Sequence, residues 1–528
     1  MKLIFNPAKN SHCEYLGGRE SNSPSFPARN AAHSVAGESG RKKGSGFRPW
    51  SLKPITRNIS WKLIFFLGVF MFFFLPPNDT DLGWHLRYGD YFLSQGKFLT
   101  ENKLTVLLFD YHWPNSYSLY QILSAVIYRL AGFSGLSFGN GLIFTAFFYL
   151  LYLTLKKNIY QTGFIFILIT FPSWYVFGLG WRAQIFSLLG IALIFWILKT
   201  SKKYFFLPLI FLFWANLHGG FILGIMILLI FLLVQLIKLL IEKTSAKSFA
   251  FYCFYFLLSF LATMLNPYGL KIWWEGLNHL KVPMHKLIAE WVPPPGSLYF
   301  LVVLFFVFSF IIFLTQKNKN WWQWFLFTCL FPFFYLGLSA RRNLPFFFMV
   351  TCLIILSANF AKNWFKNINF TSLLKSFNIL IFLWGLFYQL PNTLLIDLSW
   401  KNYCQQKRKF PFPCKAVDFI KENKIKGTIY NTYEWGGFLE WQLPDSIFFV
   451  DGRMPAWPTS TFKSPYTIYL NIIQHQPGWE QTLATYKIDY LFIGANTFLD
   501  LELKTSPDKY PWQEIYRDQK AVIYEKKI

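Results

Sequence analysis

Two carboxylates one residue apart, with an imidazole close behind, stand where a long apolar run ends: Pro76-Pro77-Asn78-Asp79-Thr80-Asp81-Leu82-Gly83-Trp84-His85. Aspartates placed in this way suit two chemistries. Either carboxylate can deprotonate or orient an acceptor hydroxyl as a general base, with His85 as its helper. Alternatively, the Asp79/Asp81 pair offers oxygens to a divalent cation, Mg2+ or Mn2+, whose shell phosphate oxygens would complete. Ionisable groups in so apolar a chain mark a site by default, because burying them in lipid is expensive.

Other polar residues break apolar context in the same manner. Arg182 and Gln184 lie in Gly180-Trp181-Arg182-Ala183-Gln184, Asn216 and His218 in Trp214-Ala215-Asn216-Leu217-His218-Gly219-Gly220, Glu290 beside Trp291, and Arg341 and Arg342 before Asn343. Guanidinium and imidazole groups stabilise a departing phosphate. Plainer readings stand beside these: Arg341-Arg342 snorkelling to headgroups, Arg182 as an interfacial anchor next to Trp181, His218 at a capped helix end, and Asn266-Pro267-Tyr268-Gly269 as a turn. Further on, Trp435-Gly436-Gly437 offers an indole face for a sugar ring and glycines for close backbone approach. Asp451-Gly452-Arg453 supplies an acid and a cation at the end of an expected strand, either for substrate or as an internal ion pair.

The elements that must carry these residues are mostly membrane helices. Of 528 residues, 54% are hydrophobic, 21% aromatic and only 15% charged, with a mean hydropathy of +0.32. This composition describes a polytopic α-helical membrane protein. Apolar runs approaching the ~20 residues of a bilayer span fall at 59–75, 136–155, 161–178, 184–199, 203–216, 220–241, 249–266, 298–315, 321–338, 343–360 and 373–390, eleven in all. The shorter amphipathic piece 119–131 reads as interfacial.

The net charge of +25 arises from Lys and Arg in short segments between apolar runs, with no basic stripe interleaved with aromatics, which excludes nucleic acid as a partner. Lys156-Lys157, Lys199 to Lys203, Lys238 to Lys247, Lys317 to Lys319 and Lys362 to Lys375 all fall on one side of the count, the cytoplasmic one with the N-terminus. The loop 76–118 and everything after 390 then face the extracytoplasmic side of a plasma (inner) membrane, as do all the chemistry-bearing residues above.

Residues 1–58 are polar and basic, without apolar period, and read as disordered; a native start near Ser51 is one expectation. Residues 59–390 form the membrane domain, and 391–528 alternate short helical and β-like runs, as in a small extracytoplasmic α/β domain. Cys404 and Cys414 share that last segment, either as a disulfide or as two thiols.

On these residues the sequence resembles the GT-C superfamily of integral membrane glycosyltransferases, which includes protein mannosyltransferase-like enzymes. A first span followed by Asp79-Thr80-Asp81, an amphipathic helix around Leu82–Ser94 and many further spans carry the likeness. The blocks Trp181–Gln184, Trp214–Gly220, Asn266–Gly269, Arg341–Pro345, Tyr430–Gly437 and Val450–Arg453 are similar to those of a bacterial branch. The resemblance implies a polyprenyl-phosphate-linked sugar donor, a first-loop acid as catalytic base, and an external domain that helps bind a glycan, lipid or protein acceptor. Protein mannosyltransferases carry an Asp-Glu pair where Asp-x-Asp stands here, and Glu434-Trp435-Gly436-Gly437 only loosely resembles the Trp-Trp-Asp signature of oligosaccharyltransferases.

Two other functions bear on the same pattern. A transporter or flippase would place its polar groups near the bilayer midplane on broken helices, where this chain has mainly Phe, Leu and Ile. A non-catalytic, ligase-like envelope-polysaccharide assembly factor would share the outer-face arrangement.

Overall fold

The chain after the first apolar helix, Trp61–Phe72, is tied down residue by residue. Pro76-Pro77 stops helix propagation, which leaves carbonyls without intrahelical partners. In an apolar setting such groups must be satisfied from elsewhere. Asn140 Nδ2 donates to Phe73 O at 2.7 Å, Thr393 Oγ1 and Gln389 Nε2 donate to Phe74 O at 2.9 and 3.2 Å, and Asn78 N donates to Leu179 O at 2.9 Å. The Phe73 ring stacks on Phe144 with centroids 3.7 Å apart. Gly180, at φ +73°, lies so close that a Cβ there would sit 2.9 Å from Pro76 O. The segment leading to Asp79 is therefore fixed by three other parts of the chain.

This computed structural model describes residues 61–201, 203–358, 368–405, 411–457 and 464–527. The expectations for residues 1–58, and the stretch 359–367 that joins the last two expected spans, lie outside the described residues. The count of eleven spans is not borne out: among the described residues five helices are long and apolar enough to cross a membrane, Ser118–Thr154, Phe221–Glu242, Ala289–Thr315, Trp321–Ser339 and Asn369–Leu398. Trp61–Phe72, Ile159–Thr170, Gln184–Thr200, Tyr204–Leu217 and Ala246–Ala262 are apolar but shorter. The helix Ser118–Thr154 breaks at Ala131 and Gly132, which separates the piece read as interfacial from the span that follows.

Residues 59–528 hold together as one unit. Its C-terminal part carries a mixed sheet of strands β1 (Thr428–Asn431), β2 (Ile447–Phe448), β3 (Tyr490–Gly494), β4 (Trp512–Arg517) and β5 (Ala521–Lys526), in the order β2-β1-β3-β5-β4. β1 pairs in parallel with β2 and β3, whereas β5 runs antiparallel to β3 and β4. The first loop extends this sheet at its β2 edge: Val106 N donates to Phe448 O at 2.7 Å and Phe448 N to Leu104 O at 3.1 Å. Cys404 and Cys414 form a disulfide.

The helix Leu82–Gln95 joins the first loop to the C-terminal part through glycine. A Cβ on Gly83 would lie 2.0 Å from Gly437 O, and one on Gly437 would lie 2.8 Å from Thr80 O. Gly436-Gly437 thus serves backbone approach, as its composition suggested, but the approaching backbone is the protein's own.

Candidate functional site

Asp79 begins a chain of alternating charges that four separate segments contribute. Its Oδ2 lies 2.9 Å from Arg182 Nε, Arg182 Nη1 lies 2.6 Å from Glu290 Oε2, and Glu290 Oε1 lies 3.0 Å from Arg342 Nη1. Two cations and two anions alternate along it, so each carboxylate orients a guanidinium that burial alone would disfavour. Arg342 also stacks over Trp291, its guanidinium carbon 4.6 Å from the ring centroid. Gln184 Nε2 fixes the backbone of the same residue by donating to Arg342 O at 2.8 Å.

Among the described residues Asp81 has no ion-pair partner of its own. It receives a hydrogen bond from Trp84 Nε1 at 3.2 Å, and Gly452 packs so tightly on it that a Cβ would meet Asp81 Oδ1 at 1.9 Å. Burial, followed by the negative charge of Asp79, pushes its carboxyl up to about 7, with Arg182 acting in the opposite sense. Burial raises the Asp79 carboxyl as well, opposed most strongly by Arg182. A carboxylate poised near neutrality is suited to general-base work.

The two histidines are neutral, for a reason that hydrogen bonding makes specific. Trp214 Nε1 donates to Ser187 Oγ at 2.8 Å, so the Ser187 hydroxyl proton goes to His218 Nδ1, 2.6 Å away. Gly220 N donates to the same nitrogen at 3.0 Å. Nδ1 is therefore the acceptor, and Nε2 carries the proton. Burial, then Arg342 and Arg182, holds the His218 ring down to about 3. His85 is buried against Trp84, Tyr117 and Tyr120, finds no hydrogen-bond partner for its Nδ1 among the described residues, and is held well below the usual imidazole range by burial and then by Arg182.

These groups line one cavity of about 550 Å³, which Asp79, Asp81, His85, Arg182, Gln184, His218, Glu290 and Arg342 all border. Four expected site residues lie elsewhere. Asn216 uses its Nδ2 on Leu212 O and Leu265 O, at 2.8 and 3.0 Å, which ties two helices together. Arg341 turns outward over Tyr175 and donates to Pro293 O. Trp435 packs against Phe492 in the core with 8% of its surface exposed, so its indole presents no face to a sugar. Asp451 is fully buried on Arg453.

Arg453 borders the cavity, yet its side chain is 0% exposed. Its donors go to Asp451, Tyr88, Asn102 and Glu440, making it the internal ion pair of the two alternatives. The cavity also takes in residues whose chemistry the sequence concealed: Glu275 and His279 on the helix Lys271–Lys281, and Glu434. Glu275 and His279 stand one helical turn apart on an amphipathic segment, a pattern indistinguishable in sequence from a solvated helix face.

The donor set does not fit the divalent cation expected at Asp79 and Asp81. A guanidinium already neutralises Asp79 Oδ2, and no group of three or more His, Cys, Asp or Glu side chains gathers for a metal among the described residues.

Solved structures of the oligosaccharyltransferase of Archaeoglobus fulgidus share this fold. The apo form matches with a TM-score of 0.53 at 11% identity, over 83% of this chain and 70% of that one. AglB from the same organism, in complex with an inhibitory peptide and a dolichol-phosphate, matches with a TM-score of 0.53 at 11% identity over 84% and 70%. The form in complex with Zn and sulfate gives 0.51 at 12% identity over 82% and 68%. No family model and no curated protein matches the sequence. At these identities the likeness is one of fold alone, and it lends nothing to a protein mannosyltransferase-like branch.

Proposed function

We propose that the protein is a membrane glycosyltransferase that moves a sugar from a polyprenyl-phosphate-linked donor to an acceptor on the extracytoplasmic face. The observation that carries this reading is the Asp81 carboxyl in the same cavity as two guanidinium groups that Glu290 holds in place. Asp81 takes the proton of the acceptor nucleophile as that atom bonds to the anomeric carbon. The bond from the anomeric carbon to the donor's phosphate oxygen breaks, its electron pair leaving on the phosphate. Arg342 and the Nε2–H of His218 stabilise the charge that develops there. Asp79 positions Arg182 and, through its charge, sets the proton affinity of Asp81.

Donor binding fits the same geometry. Asp79, His218, Glu290 and Arg342 all lie at or just beyond helix ends rather than in helix interiors, which favours chemistry at a lipid headgroup over passage through the bilayer. The likeness in fold to an enzyme solved with a dolichol-phosphate is consistent with a lipid-phosphate donor.

Binding is the direct test. The full chain in nanodiscs should bind polyprenyl phosphate in preference to polyprenol, and Arg342→Ala should weaken phosphate binding ten- to a hundredfold, since a hydrogen bond to a charged group contributes about 1.5–3 kcal/mol. Equal affinity for the phosphate and the alcohol would overturn the reading.

A further inference from the structure

One wall of the cavity has no task in the transfer as described. The helix Lys271–Lys281 presents Glu275 and His279 to the cavity that Asp79, Asp81 and His85 also border. Glu275 is 8% exposed, and its Oε1 finds no hydrogen-bond partner among the described residues. A buried carboxyl oxygen left in this state is costly unless something completes it. Burial pushes this carboxyl up to about 7.

His279 complements it. Its Nδ1 lies 2.9 Å from Glu275 O, a backbone acceptor, so Nδ1 carries the proton and Nε2 keeps a free lone pair. The imidazole and the carboxylate are neighbours on the helix, with Nδ1 3.9 Å from Glu275 Oε1.

The two walls therefore differ in hydrogen-bond polarity. Arg182, Arg342 and the Nε2–H of His218 are donors, as an anion requires, whereas Glu275 and the Nε2 of His279 are acceptors, as hydroxyls require. The helix that carries the accepting pair is rigidly seated. Trp273 Nε1 donates to Thr263 Oγ1 at 2.9 Å, the Trp273 ring meets Phe221 edge-on, and Gly276 sits so close to Ile222 that a Cβ would lie 2.5 Å from its Cδ1. Leu270, Trp274 and Leu277 are exposed on the opposite face, which gives the helix the amphipathic character of an interfacial segment.

We propose that Glu275 and His279 form the acceptor subsite and hold the hydroxyls of a saccharide acceptor against the first-loop carboxylates. The assignment rests on the transferase reading given above. Neighbouring hydroxyls on a sugar ring match two acceptors placed side by side on one helix face, and a polyhydroxyl ligand completes the oxygen that the fold leaves unpaired. Glu275 and His279 act here as specificity-determining residues, distinct from the base.

Saturation-transfer NMR on the full chain in nanodiscs tests this, with methyl α-mannoside, methyl α-glucoside and methyl β-galactoside as probes and N-acetyl-threonine amide as the peptide-like competitor. Wild type is expected to give signal from at least one glycoside. Glu275→Ala should lower it at least fivefold, His279→Ala at least threefold, and Glu275→Gln, whose amide oxygen still accepts a hydrogen bond, should retain most of it. Polyprenyl phosphate binding should be unchanged in all three. Unaltered glycoside signal in both alanine variants, no glycoside signal in wild type, or signal from the threonine amide alone would each overturn the subsite. Glycoside signal that depends on Glu275 in a chain that ignores polyprenyl phosphate would support the subsite while removing the lipid-donor reading.

Discussion

Asp79 and Asp81 differ in what surrounds them, and the difference divides their roles. Arg182 at 2.9 Å gives Asp79 a permanent counter-charge, while Asp81 has an indole N–H and the Gly452 backbone. With its carboxyl raised to about 7, Asp81 must lose a proton before it can act as base. The single-turnover rate should therefore fall about tenfold for each pH unit below 7 and level off above it, because only the ionised form abstracts a proton. A rate that is flat between pH 5 and 7 would show that Asp81 is not the base. At this scale the sequence was legible where a polar residue interrupted apolar context, as with Asp79, Arg182, His218, Glu290 and Arg342. It was not legible where the question was what a side chain already holds. Asn216 and Asp451 look as reactive in sequence as the cavity residues do, and only their partners, Leu212 O and Leu265 O for one and Arg453 for the other, show them to be structural.

The positioning elements meet through backbone. Pro76-Pro77 frees the carbonyls that Asn140, Thr393 and Gln389 capture, and Gly83 and Gly437 let the first-loop helix touch the helix Gly436–Gln442 without intervening side chains. The new atom in Gly83→Ala would fall 2.0 Å from a backbone oxygen, which no rotamer change relieves. We expect this substitution to destabilise the protein by about 1–3 kcal/mol or more, seen as a lowered midpoint in a fluorescence-detected thermal melt of the detergent-solubilised chain. Gly296→Ala, where nothing lies within 4 Å of the added atom, should leave the midpoint in place. Equal midpoints for the two variants would contradict this packing. The glycine pair was visible in sequence, but what approaches it depends on long-range docking that local pattern does not encode. Likewise the helix Lys271–Lys281 was passed over because an amphipathic segment facing a cavity has the same period as one facing water.

At the scale of the whole molecule we propose a single sidedness. The charge bias of membrane insertion would put the lysine-bearing loops on the cytoplasmic side, and the Cys404–Cys414 disulfide gives an independent argument for the other side for its own segment, since such bonds persist in oxidising compartments. Peptide mapping of membranes whose thiols are blocked at lysis should recover residues 404 and 414 as a linked pair. Two alkylated thiols would place that segment in the cytosol and break up the single-face arrangement. The polytopic class and the sequence of helices followed by a small sheet were legible from hydropathy. How far each apolar run crosses the bilayer was not, because several helices that pack inside the bundle are shorter than a span.

The central claim is that first-loop carboxylates drive transfer from a lipid-phosphate sugar. It is tested most directly by reconstituting the full chain in liposomes with a set of labelled polyprenyl-phosphate hexoses and pentoses and measuring release of polyprenyl phosphate by wild type, Asp81→Asn and the Asp79→Asn/Asp81→Asn pair. We predict turnover by wild type with at least one donor and a loss of about 10²–10⁴-fold in Asp81→Asn, the usual contribution of a positioned general base. Full turnover by the double variant would contradict the account.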